Sequence, residues 1–195
     1  MLFATFLLTG LASAVLAITP RQVTTEFAPW NITNVSGGSP SGRPGSSPNE
    51  TLSISIREPN VIRLQRVPRG YAAFLPWETT CSWAWDRAGT ANFPIGIETL
   101  CSPVDDTLGN FTMTLSQGES SSDFTVKIKE TKEVTVFGTR YVRVFEAEKA
   151  LKDELFKTCG GSGVCGIQLA DGPVEVQQEL TTSIGTCEEA SIGGC

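Results

Sequence analysis

Histidine is absent from the 195 residues. No Ser-His-Asp or Cys-His nucleophile can therefore form, and the commonest protein ligand of catalytic zinc is missing. Basic clusters are missing as well. The net charge is −6, from 15 Lys and Arg against 21 Asp and Glu, a balance poorly suited to a phosphate backbone or an anionic membrane surface. Beyond residue 17 no apolar run approaches the roughly 20 residues that cross a bilayer. The CxxC spacing favoured by zinc sites does not occur, so no metal is expected. What these absences leave to an enzyme is carboxylate chemistry. Glycoside hydrolysis needs only two suitably spaced acids, and Asp105 and Asp106 stand on an expected loop, where solvated surface charge is the competing reading.

The chain opens on an apolar segment, Leu2 to Leu16, broken only by Thr5, Thr9, Gly10 and Ser13 and followed by Thr19, Pro20 and Arg21. It is too short for a comfortable membrane span. Val15 and Ala17 supply the small −3 and −1 residues of a signal-peptidase site. Residues 1–17 are thus expected to be a cleaved export signal, and the protein to be extracellular with no stable membrane insertion. Six cysteines, all beyond residue 80, fit an oxidising compartment. Four acceptor sequons for N-glycosylation begin at Asn31, Asn34, Asn49 and Asn110, none with Pro in the middle.

Alternation with a period of two recurs along the chain and marks strands with one wet face. Leu52, Ile54 and Ile56 alternate with Ser53, Ser55 and Arg57; Phe111, Met113 and Leu115 with Thr112, Thr114 and Ser116; Phe124, Val126 and Ile128 with Thr125, Lys127 and Lys129. The last two sets are expected to pair across the polar turn at 117–122. Shorter strands are expected near 134–136 and 141–146, joined through Gly138, and near 166–169 and 174–180, with a first strand at Trp30 and Ile32. Leu151 and Leu155, four apart, predict one short helix over 149–156. Residues 36–50 are dense in Gly, Pro and Ser and predict a long flexible loop. The fold class expected is all-β, a single antiparallel β-barrel or β-sandwich with one short helix, disulfide-bonded, over residues 18–182. A cysteine-containing tail, 183–195, follows it.

Pairing neighbours is the simplest of the 15 possible disulfide connectivities. Cys81 with Cys101 would close a loop of about 20 residues and stabilise by roughly 3 kcal/mol; Cys159 with Cys165 would close one of about 7, worth roughly 2 kcal/mol. Cys187 and Cys195 then pair by elimination. Residues 161–166, Gly-Ser-Gly-Val-Cys-Gly, match GxGxxG literally. The motif binds dinucleotides only between a buried strand and a following helix, whereas here cysteines bracket it, so a pinned turn is expected and no cofactor.

Trp77, Trp83 and Trp85 form the most suggestive aromatic group. On a strand over 81–86, Trp83 and Trp85 project to the same face, where they either pack in the core or offer a stacking surface for a sugar or flat ligand.

Trp30-Asn-Ile-Thr-Asn34, the Arg43-Pro-Gly-Ser-Ser47 loop, the Cys81 and Cys101 pair, and Cys159-Gly-Gly-Ser-Gly-Val-Cys165 leading to Val174-Glu-Val-Gln-Gln178 follow in that order. Over residues 28–182 this pattern resembles the small secreted fungal proteins of the Alternaria allergen-like (AA1-like) family. The resemblance implies a compact β-barrel or sandwich, secretion and no established catalytic residues, in proteins discussed as allergens or effectors that bind host defence proteins or small ligands. The expected function is a secreted non-enzymatic binding protein or effector acting on a host protein or glycan. The alternatives are a carbohydrate-binding or carboxylate-dependent glycan-active protein, and a structural wall-associated one.

Overall fold

A computed structural model describes residues 27–86, 93–104, 109–120 and 122–186, without the side chains of Gln117 and Glu119. The expected signal segment, Asp105, Asp106, Cys187 and Cys195 lie outside these residues.

The described chain is all-β apart from one 3-10 turn, and its two sheets face each other as a sandwich without closing into a barrel. In the first sheet β10 (Leu155–Cys159), β11 (Cys165–Leu169), β1 (Trp30–Ser39), β2 (Asn49–Glu58) and β5 (Trp77–Asp86) lie in that order, and β12 (Val174–Val176) pairs with the start of β1. In the second sheet the order is β13 (Glu179–Ile184), β9 (Thr139–Ala150), β8 (Asp123–Val136), β7 (Asn110–Ser120) and β6 (Glu98–Leu100). A separate hairpin is formed by β3 (Ile62–Val67) and β4 (Gly70–Phe74). Every strand pair is antiparallel.

The period-two patterns become the inner faces. Leu52, Ile54 and Ile56 of β2 are buried opposite Phe111, Met113 and Leu115 of β7 and Phe124, Val126 and Ile128 of β8. Trp30 locks the layers together: its ring meets Phe111 edge-on at 5.1 Å and Phe145 at 6.4 Å, while Trp77 stacks on Phe111 at 5.3 Å. Each such aromatic removes about 150–250 Å² from water, so these contacts dominate the cohesion between sheets.

One edge of the sandwich is closed covalently. Cys81 on β5 bonds to Cys101 just after β6, and beside it the Thr80 and Ser102 backbones exchange N–H···O bonds of 3.0 and 2.8 Å. At the other end of the chain the expected strand 174–180 divides. Val174–Val176 joins the first sheet, and Glu179–Ile184 crosses to the second. Gln178 at the crossover accepts from the Trp30 amide and donates to the Ala28 carbonyl at 2.8 Å. Pairing continues to Ile184, past the expected boundary at 182, where buried Arg143 donates to the Ile184 and Gly185 carbonyls.

Two local expectations are corrected. Lys149–Phe156 is not an α-helix: β9 runs to Ala150, a single 3-10 turn covers Lys152–Glu154, and β10 begins at Leu155. The Leu151 amide donates to the Phe124 carbonyl at 3.0 Å and its side chain is buried, so Leu151 serves the sheet rather than a helical stripe. Residues 36–50 are not one long loop. Ser36–Ser39 extend β1 and Asn49–Glu50 begin β2. Glycine favours this despite its poor strand propensity: a Cβ on Gly37 would stand 3.1 Å from the Thr51 carbonyl oxygen, so the close approach needs a residue without one.

Candidate functional site

The tryptophans picked from sequence belong to the interior. Trp77 and Trp83 are 7% and 6% exposed, and Trp85 is partly buried, edge-on to Phe93 at 5.3 Å. They form no open stacking platform. Both testable cysteine pairs are bonded as neighbours, Cys81 with Cys101 and Cys159 with Cys165. Gly161 and Gly163 of the GxGxxG match lie in the β10–β11 hairpin turn, closed by Gly160 N–H to Val164 O at 2.9 Å with the Cys159 and Cys165 backbones directly opposite, and Gly166 lies on β11 opposite Thr158. Asn31, Asn34, Asn49 and Asn110 all stand on strands, Asn34 and Asn49 exposed and the other two half-buried.

The strongest charge cluster is internal. Lys132 on β8 lies 3.1 Å from Glu130 on the same strand and 3.1 Å from Glu58 at the end of β2. Trp77 Nε1 donates to Glu130 Oε1 at 2.8 Å and Lys132 Nζ donates to the Leu75 carbonyl at 3.3 Å. Burial is the main cause that pushes the Glu130 carboxyl up to about 7; Glu58 adds to it, while Lys132 and the Trp77 N–H pull the other way. Two acids this close resemble a glycosidase pair in spacing alone. All three side chains are 0–2% exposed, so no substrate reaches them. Sequence did carry the signal, since Glu130 and Lys132 continue the inward positions set by Phe124, Val126 and Ile128.

An accessible groove of about 450 Å³ crosses the outer face of the second sheet. It is built from two cross-strand rows. Glu98, Thr114, Lys127 and Glu148 stand side by side on β6 to β9, and Thr112, Lys129, Glu146 and Glu179 form the next row on β7, β8, β9 and β13. Thr112 Oγ1 donates to Glu98 Oε1 at 2.7 Å across the rows. Opposite charges face each other at Lys127 and Glu148 and at Lys129 and Glu146, each such pair adding about 0.2–1 kcal/mol. Glu146 and Glu179 are an exception: two like charges directly opposite, an arrangement that costs stability. No aromatic side chain lines the groove.

Among the described residues no group of three or more metal-ligating side chains forms, and no helix is long and apolar enough to cross a membrane. The chain matches no family model, no curated protein and no solved structure.

Proposed function

We propose that this is an exported, non-catalytic binding protein that engages a protein partner through the groove on the outer face of the second sheet. The observation that carries the reading is the Glu146 and Glu179 pair. Lys129 faces Glu146 from β8, but Glu179 on the edge strand faces only Glu146, so a lysine or arginine presented by a partner between the two carboxylates would be held by both. Alternating rows of lysine and glutamate favour a protein surface of complementary charge, and the lack of aromatic lining disfavours stacking on sugar rings. The two disulfides are compatible with an extracellular address. The resemblance to AA1-like proteins points the same way, toward a secreted fungal effector or allergen-like protein.

A variant E146Q/E179Q tests the reading. Its thermal midpoint is expected to change little, because the relieved repulsion is offset by loss of the Lys129–Glu146 pair, while affinity for the partner recovered by cross-linking falls about tenfold or more. Unchanged affinity, or conversion of that partner by catalytic amounts of the protein, would refute it. A second reading, carboxylate-dependent glycan chemistry, draws on the same pair, since two exposed carboxylates on facing residues of adjacent strands supply the two acids such chemistry needs. Release of reducing sugar by the wild type but not by E146Q would favour it.

A further inference from the structure

The two outer faces of the sandwich differ in kind. The face of the second sheet is densely charged, whereas that of the first is a hydroxyl ladder. Ser36, Ser53 and Ser82 form one row across β1, β2 and β5, and Asn34, Ser55 and Thr80 form the next. Ser53 and Ser82 share a hydrogen bond of 2.8 Å, as do Ser55 and Thr80. Thr51 and Ala84 extend the face. No charged residue occurs in these rows; Arg57 and Glu78 bound the face at one end and Asp86 at the other. A charge-free stretch of sheet face on a chain of net charge −6 lacks the ionic hydration that keeps such surfaces apart.

Three of the four sequons converge on this same face. In a strand, residues two apart share a side, so each acceptor points outward together with its Thr or Ser: Asn31 with Thr33, and Asn49 with Thr51. The β1 bulge between Ile32 and Asn34 turns Asn34 outward as well, in line with Ser36. We propose that the outer face of the first sheet is the glycan-bearing face of the molecule, with N-linked oligosaccharide on Asn34 and Asn49 lying over the serine and threonine ladder. Asn34 and Asn49 are exposed, and their separation of six residues along β2, about 20 Å, leaves room for both chains. Asn31 is half-buried, and its Nδ2 donates to the Pro29 carbonyl at 3.3 Å, so Asn34 is the acceptor of that close pair.

The modification is a group transfer from a lipid pyrophosphate-linked oligosaccharide in the export pathway. The asparagine Nδ2 forms a bond to the anomeric carbon, the bond from that carbon to the pyrophosphate oxygen breaks, the lipid pyrophosphate leaves, and the amide proton passes to the transferase base. The glycans supply the hydration that the face lacks, and they leave the charged groove on the opposite side open.

The inference rests on the export reading given above, and the test separates the two. The full chain is secreted from a eukaryotic host, and glycopeptides are mapped after enzymatic deglycosylation in heavy-oxygen water. Label on Asn34 and Asn49 is expected. Secreted protein with both residues bare, or with glycan confined to Asn110, overturns this inference alone; a chain retained unprocessed in the cytosol overturns both. In addition N34Q/N49Q, checked for native circular dichroism, is expected to lose two glycan masses and to self-associate at concentrations where wild type and N110Q remain monodisperse. A monodisperse double variant with native circular dichroism overturns the shielding role.

Discussion

Lys132 Nζ lies 3.1 Å from the Glu130 carboxylate two residues earlier on β8, and the same ammonium lies 3.1 Å from Glu58 on the opposing sheet, with all three side chains shut off from water. One cation thus holds two carboxylates at the end of a hydrophobic core, and the arrangement stands only while the cation is present. Replacement by an apolar residue of similar length, K132M, leaves two buried acids facing each other. The expected loss is about 3–5 kcal/mol at neutral pH. Urea unfolding measures it, and a loss below about 1 kcal/mol would show that the cluster is wetter than its geometry indicates.

Glu130 gives the fold a pH dependence of definite sign. Its carboxyl rises from the ordinary 4.5 to about 7, chiefly through burial, so the folded protein holds this proton more tightly than the unfolded chain. The stability it contributes is present in full below about pH 4.5 and is lost as the pH rises through 7, by roughly 3 kcal/mol in all. E130Q keeps an oxygen for the Trp77 N–H and cannot ionise. Wild type is therefore expected to lose stability relative to E130Q between pH 4.5 and pH 8, and a constant difference over that interval would rule the titration out.

The strands that alternate cleanly were legible in sequence because their inner faces are uniformly apolar. β2, β7 and β8 were, and so was the pairing of β7 with β8. The β3–β4 hairpin was not, since its inward Ile62, Leu64 and Phe74 are scattered among Arg63, Arg66 and Arg69 and interrupted by the bulge between Arg63 and Gln65. Leu151 and Leu155 misled in the opposite direction: a four-residue spacing satisfies a helix, yet one residue ends the core under β8 and the other starts an edge strand. The groove was illegible for a different reason. Its members are ordinary surface residues on five strands, and only the register between those strands brings Glu146 opposite Glu179.

The β8–β9 turn contains a correctable mismatch. Phe137 has φ of 48° and is followed by Gly138 at 81°, the pair of positive values that a two-residue hairpin turn of type I′ requires. Glycine suits such a position and asparagine tolerates it, whereas an aromatic residue there is strained. The Phe137 ring recovers little of that cost, being 75% exposed. F137N is expected to stabilise the protein by about 1 kcal/mol. Chemical denaturation with an unchanged slope would register the gain, and a loss would mean that the ring is held by contacts in solution.

The two bridges occupy opposite environments and are expected to respond differently to reductant. Cys81 and Cys101 are within the core, 0% and 1% exposed, so thiolate attack on their sulfurs requires the sandwich to open. Cys159 and Cys165 close a surface hairpin whose second cysteine is only half-buried, and a small thiol reaches them in the native state. Graded reduction followed by alkylation and peptide mapping is expected to label Cys159 and Cys165 first, with Cys81 and Cys101 labelled only as the protein unfolds. Their removal should differ as well. C159S/C165S opens a loop with a sequence separation of 6 at a cost of about 2 kcal/mol, whereas C81S/C101S opens one of 20 and unties β5 from β6, at about 3 kcal/mol or more. Equal labelling of all four cysteines under native conditions would mean that the edge between the two sheets opens readily, and the β5–β6 junction would then be a hinge rather than a clasp.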